Sequence, residues 1–181
     1  TAIRRQRQMC IRDSPETYLI QSGDTDLDVL VRARAAMQNA LMDAWSARTE
    51  NLPLTEPYEA LILASIVEKE TGVASERPEI AGVFTRRLAL RMRLQTDPTV
   101  IYGLGTEFDG NLTRRHLRDD NNQFNTYRIA GLPPTPIALP GKEAIVASLN
   151  PKDGEALYFV AKGDGSHACL LYTSPSPRDI S

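Results

Sequence analysis

Ala60-Leu61-Ile62-Leu63-Ala64-Ser65-Ile66-Val67-Glu68-Lys69-Glu70-Thr71 is an apolar run that ends abruptly in two acids. Read as a helix, it places Leu63, Ile66, Val67 and Glu70 at i, i+3, i+4 and i+7, on one face. Glu70 then closes an apolar stripe and is expected to point into the body of the protein. Glu68 falls nearly opposite, in line with Leu61, Ala64 and Ser65. A carboxyl aimed inward is either paired with a cation or keeps its proton and has a task. Arg77 and Arg86 are the cations that would supply a pairing.

The flanking sequence sets this helix among others. Pro15 to Ile20 reads as a short extended piece, and Gly23-Asp24 as a turn. Leu27, Leu30, Val31, Ala35, Met37, Leu41, Met42 and Trp45 recur at roughly helical spacing, which predicts a helix from about Asp26 to Arg48. Pro53 and Pro57 frame a connector, with Thr55 or Glu56 placed to cap the central helix. Beyond Gly72, Ser75-Glu76-Arg77-Pro78-Glu79 looks like a second helix start, with Ser75 as cap. Ile80, Val83, Phe84 and Leu88 form its apolar face, and Arg86 and Arg87 lie near its last turns. So short a link makes the two helices neighbours.

From Met92 the chain is more polar. Asp97-Pro98 predicts an extended or turn geometry at Asp97, with a loop running into a short helix or strand. Thr113 to Leu117 suits one helical turn, and Asp119 to Tyr127 a polar loop. Gly131 to Gly141 is too proline-rich for helix or central strand. Lys142 to Leu149 reads as a helix and Leu157 to Ala161 as a strand. Lys162 to Gly165 reads as a hairpin turn, after which His167 begins the return strand. The expected class is α+β: a helix-rich domain with a small antiparallel sheet and long polar and proline-rich loops.

The chain has 181 residues, 41% hydrophobic and 24% charged, enough for one domain with a core. No apolar run is long enough to span a membrane, and no signal peptide is visible. Arg4 to Ser14 back-translates into a transposase adaptor of shotgun sequencing libraries, and Cys169 to Asp179 into the companion adaptor. Residues 1–14 and 169–181 are therefore read as non-native tails around a genuine stretch 15–168. On that reading Cys10 and Cys169 leave the argument, and with them any disulfide or thiol nucleophile. Setting aside the four arginines and Asp13 of the first tail takes the formal charge from −2 to −5, which argues against nucleic acid as a partner.

Chemistry narrows to carboxylates. His116 and His167 are far apart and lack ligand-spaced companions, so a metal site is poorly supported. No G-x-S-x-G turn is present. Glu68 and Glu70, two apart on one helix, point away from each other and cannot flank one bond. The expected arrangement is one acid at a helix end with a cleft built from loops: Gln95, Thr96 and Asp97, then Asn125, Thr126 and Tyr127, then the proline-rich loop. Such walls suit a ligand rich in hydroxyls and amides, such as a glycan. Taken alone, these residues leave open turn-forming roles for Asp97 and Asn125 to Tyr127, and an ion pair for Glu70.

Several motifs together carry a resemblance. Ala64 to Thr71, Ala74 to Arg77, Val83 to Leu88, Met92 to Gly103, Asn125-Thr126-Tyr127, Gly131 to Pro134, Pro136-Ile137, Pro140-Gly141 and Leu157 to Ala161 occur in order, after Pro15 to Tyr18. This series closely resembles the bacterial endolytic murein transglycosylases over essentially all of 15–167. It departs from them at Thr135, where a glycine is commoner.

The resemblance implies a partial catalytic domain that cuts peptidoglycan glycan strands internally, leaving 1,6-anhydro ends, with no cofactor. It implies Glu70 as the catalytic acid. It also implies an inner-membrane anchor of one N-terminal helix outside this sequence, a catalytic domain on the periplasmic side, and cell-wall synthases as partners. Gln95, Asp97, Asn125, Thr126 and Tyr127 are the expected substrate-binding residues, with Glu68 and Glu76 in support. A lysozyme-like hydrolase using Glu70 and Asp97, and a peptidoglycan-binding scaffold without turnover, are the competing readings.

Overall fold

A computed structural model of the chain describes Tyr18, Ile20, residues 23–161 and residues 167–170. The expected adaptor tail 1–14, most of the extended piece after it and the turn at Lys162 to Gly165 lie outside the described residues. So does 171–181.

The helices are α1 (Asp26–Ser46), α2 (Pro57–Glu70), α3 (Arg77–Ala89), α4 (Asp97–Leu104), α5 (Arg114–Leu117) and α6 (Lys142–Leu149). Two strands, β1 (Tyr158–Ala161) and β2 (His167–Leu170), pair antiparallel with Tyr158 opposite Leu170 and Ala161 opposite His167. The fold is helix-rich with little strand. The return strand continues over Cys169 and Leu170, which the sequence reading placed in the second tail.

α2 is the axis of the molecule. It packs against α1, α3, α4 and α6. Every residue from Ala60 to Val67 is buried. The sequence reading gave this helix one inward stripe; the structure wraps it on all sides. Its composition explains the difference, because a run with no polar face except Ser65 has no side to offer water. Pro57 occupies the first turn, where its missing N–H removes no bond. Glu56 stands at the N-cap without a side-chain cap bond; Glu59 instead accepts from the backbone and hydroxyl of Thr55.

Ser65 and Glu68, one helical turn apart, hold the proline-rich loop along α2. The Ser65 hydroxyl accepts from the Ile137 N–H at 2.9 Å and donates to the Ile62 carbonyl. Glu68 accepts from the Gly141 N–H at 3.1 Å. Backbone donors of a loop that forms no ladder of its own must find side-chain acceptors.

Other local expectations shift. α1 opens with a capping box between Thr25 and Asp28, but only Ala33, Met37, Leu41 and Ala44 are buried, while Leu27 remains 67% exposed. Ser75 does not cap α3; a 3-10 turn over Ala74–Glu76 leads into it, and Ser75 is exposed. At the next junction the extended residue is Thr96, and Asp97 already begins α4 with Pro98 in its first turn. The helix start is thus one residue earlier than the proline rule implies, because the first turn tolerates proline.

Replacing Ser65 with alanine strips the buried Ile137 N–H of its acceptor. We expect a loss of about 1–3 kcal/mol, seen as a fall of several degrees in the thermal midpoint, without loss of helical circular dichroism.

Candidate active site

α2 stops at Glu70 because Thr71 turns extended, with φ −140° and ψ 135°. The Thr71 hydroxyl is fixed by two bonds: it accepts from the Val73 N–H and donates to Glu76 at 3.0 Å. Glu70 therefore sits on the last turn of a buried helix, among carbonyls that lack intrahelical partners. That end of the helix dipole disfavours a negative charge.

Burial drives the Glu70 carboxyl above the ordinary glutamate range, and the negative charge of Asp97 adds to the push. A hydrogen bond from the Thr96 hydroxyl opposes it, as do the charges of His167 and Arg87. Among the described residues no ion pair of Glu70 is seen. The two arginines that could have neutralised it are engaged elsewhere. Arg77 faces Glu68 at 3.3 Å. Arg86 donates to the Ala156 carbonyl at 2.7 Å and the Lys152 carbonyl at 3.1 Å. Glu70 thus has no cation partner among the described residues, and its proton affinity is raised.

Two of the three expected loops, Gln95 to Asp97 and Asn125 to Tyr127, meet beside Glu70; the proline-rich loop is held further along α2, at Ser65 and Glu68. Gln95 is exposed and holds a left-handed φ of 51°. Such a conformation costs a non-glycine residue roughly 1–3 kcal/mol and concentrates at functional sites. Its N–H donates to the Thr126 carbonyl at 3.2 Å. Asp97 is exposed on the first turn of α4 and accepts from the Tyr127 hydroxyl at 2.7 Å. Burial and that acidic neighbour hold the Tyr127 phenol well above its usual range, so it keeps the proton it donates to Asp97.

Asn125 and Thr126 are fully buried. The Asn125 amide donates to the carbonyls of His116, Leu117 and Asp119, and its oxygen accepts from the Tyr127 N–H. Thr126 is bonded to Thr96 and Thr99. Both side chains shape the wall from behind, and Gln95, Asp97 and Tyr127 present its surface.

The supporting acids are placed differently from one another. Glu68 braces α3 and the proline-rich loop on the far side of α2. Glu76 gathers Thr71, the His167 N–H and His167 Nδ1, the last two at 2.8 Å. These hydrogen bonds, those of His167 foremost, hold the Glu76 carboxyl below its usual range. The pair draws β2 over the end of α2.

Two residues escaped the sequence reading. Arg87 is a buried cation, 6% exposed, donating to the Leu157 and Leu94 carbonyls at 2.7 and 2.6 Å and lying over the Tyr158 ring. Its signal was present: Ile80, Phe84 and Arg87 lie on one face of α3, so the apolar stripe ends in a charge, as the α2 stripe does. His167 carried no signal, since its partner lies 91 residues away. No cluster of three or more metal-ligating side chains is found among the described residues.

A family model described as YceG-like matches residues 14–169. The chain belongs to the YceG-like family. Curated relatives share the match: an endolytic murein transglycosylase of Bacillus subtilis is 34% identical over 151 residues, covering 83% of this chain and 41% of that protein. One of Streptococcus pneumoniae is also 34% identical over 151 residues, covering 81% and 27%. The crystal structure of a YceG-like protein from Listeria monocytogenes superposes with a TM-score of 0.75 at 32% identity, over 89% of this chain and 52% of that one. The chain thus spans less than half the length of the curated relatives it matches, and the family resemblance read from its motifs holds.

The raised proton affinity of Glu70 has a sign for stability. The native state holds this proton more tightly than the unfolded chain does. The resulting stabilisation is full below the ordinary glutamate range and is lost as pH rises through the raised native value. Glu70→Gln should therefore raise the thermal midpoint at neutral pH and leave it nearly unchanged at low pH. Melting curves across that range check it.

Proposed function

We propose that this chain is the catalytic core of an endolytic murein transglycosylase, cutting the β-1,4 bond between N-acetylmuramic acid and N-acetylglucosamine in peptidoglycan strands. The observation that carries the reading is Glu70: a carboxyl without a cation partner among the described residues, its proton affinity raised by burial at a helix end, and bordered by exposed polar loops. The names of the matched relatives support the same activity.

Glu70 gives its proton to the leaving oxygen of the N-acetylglucosamine unit as the bond to C1 breaks. The carboxylate then takes the proton of the muramoyl 6-hydroxyl, whose oxygen closes onto C1. The product is a 1,6-anhydro end, no water is consumed, and Glu70 is reprotonated. One carboxyl serving twice removes the need for a second at retaining or inverting distance. Asp97 supplies negative charge near the positive charge developing at C1. Gln95 and Tyr127 hold the sugar, and Asn125 and Thr126 keep the loops in register. Glu68 and Glu76 fix the two sides of the helix end.

The chemistry needs no cofactor. In the complete protein the domain works on the periplasmic face of the inner membrane, held by an N-terminal anchor and close to the cell-wall synthases. Among the described residues no helix is long and apolar enough to cross a membrane.

Loss of a general acid typically lowers the rate on the order of a hundredfold to ten-thousandfold. Glu70→Gln should fall in that range in release of fragments from labelled sacculi, while keeping its fold by circular dichroism. Digestion at the normal rate by that variant contradicts the assignment.

A further inference from the structure

We propose that Thr96 is a positioning residue for Glu70, deciding which oxygen of the carboxyl carries the transferable proton. The inference rests on the reading of Glu70 as the acid and deepens it.

Thr96 is 2% exposed and directly precedes α4. Its backbone is held in a closed ring of hydrogen bonds. The Thr96 N–H donates to Thr126 Oγ1 at 3.0 Å. The Thr126 and Thr99 hydroxyl oxygens are 2.8 Å apart, and the Thr99 hydroxyl donates to the Thr96 carbonyl at 2.7 Å. Each hydroxyl has one hydrogen. Thr99 spends its own on the carbonyl, which leaves Thr126 to donate to Thr99 or, at 3.4 Å, to the same Thr96 carbonyl. The ring is complete without the Thr96 side chain.

Among the described residues that side chain has one partner, Oε1 of Glu70. A buried hydroxyl hydrogen left without an acceptor is unfavourable, so Thr96 donates rather than accepts. Oε1 is then an acceptor in both protonation states of the carboxyl. The acid proton is confined to Oε2.

The consequence is a carboxyl that need not rotate between its two steps. Oε2–H protonates the leaving oxygen, which takes the electron pair of the C1–O bond. Oε2 then receives the proton of the muramoyl 6-hydroxyl as that oxygen bonds C1. The cycle ends with the same oxygen protonated. Other charges facing Glu70 are Asp97 on α4, Arg87 on α3 and His167 on β2, with the Tyr127 phenol beside Asp97. Among the described residues none of these hydrogen-bonds the carboxyl; the Thr96 hydroxyl does.

The test uses the full chain, Thr96→Val and Thr96→Ser. Valine keeps the shape and the backbone ring but has no hydroxyl, whereas serine keeps the hydroxyl. The Glu70 carboxyl is titrated by carbon-13 NMR, and pH–rate profiles are recorded for release of glycan ends. In Thr96→Val, Glu70 should titrate at higher pH than in the unsubstituted chain, because the ionised form loses a donor. Its kcat should fall about tenfold with KM unchanged, the alkaline limb should move upward, and Thr96→Ser should restore all three. An unchanged Glu70 titration in Thr96→Val, or equal impairment of the serine variant, overturns the inference.

If the valine variant does not fold, the unsubstituted chain still decides: a slowly exchanging Thr96 hydroxyl proton close to the Glu70 carboxyl supports the inference, and its absence refutes it. An unsubstituted chain that releases no glycan ends contradicts the proposed function, while the NMR titration still reports on Thr96.

Discussion

A half-buried carboxyl on the last turn of a helix whose middle is buried on every side does not ionise cheaply, and the surrounding structure is arranged around that constraint. Water is excluded along α2 from Ala60 to Val67. The helix end adds its own unfavourable carbonyls. A cation at Glu70 would relieve both, and the nearest arginines of α3 are used for other purposes. Arg77 pairs with Glu68, Arg86 clamps the loop that follows α6, and Arg87 bridges the backbone at Leu94 and Leu157. Arg87 is close enough to moderate Glu70, but among the described residues it hydrogen-bonds backbone carbonyls. Among the described residues the carboxyl is left with one neutral donor, the Thr96 hydroxyl.

The same economy appears in how the loops are carried. α2 has two uses for its polar atoms. Ser65 and Glu68 hold the proline-rich loop along one side of the helix, and Glu70 meets the loops at its end. Thr71 and Glu76 turn the chain sharply after Glu70 and bring His167 with its strand across the site. Phe159 packs edge-on against both Phe84 and His167, joining this strand pair to α3. Polar loops that would otherwise wander are thereby placed to within hydrogen-bond distances of a rigid helix, which is the condition for a loop-built site to hold a ligand in one pose.

Much of this was legible in the sequence because it is local. The spacing of Glu70, the one-turn helix at Thr113 to Leu117, the α6 span and the proline-rich loop all follow from neighbours within a few residues. Asn125 shows where local reading stops: its residue type suggested a sugar-binding amide, yet its hydrogens are spent on three carbonyls between 116 and 119. The wrapping of α2 on all faces needed knowledge of four other helices. Glu76 and His167 needed a contact across 91 residues, which no period or spacing encodes. Arg87 lay between these cases, visible as a charge on an apolar face but without a stated partner.

The central claim is that one carboxyl carries a proton out and back so that no water enters the product. Digestion of purified glycan strands in oxygen-18 water, followed by mass spectrometry of the new ends, tests it most directly. The account predicts ends one water lighter than reducing sugars and free of the heavy isotope. Reducing ends that carry oxygen-18 would make the protein a hydrolase, and strands bound without any new ends would make it a scaffold; either result contradicts the account.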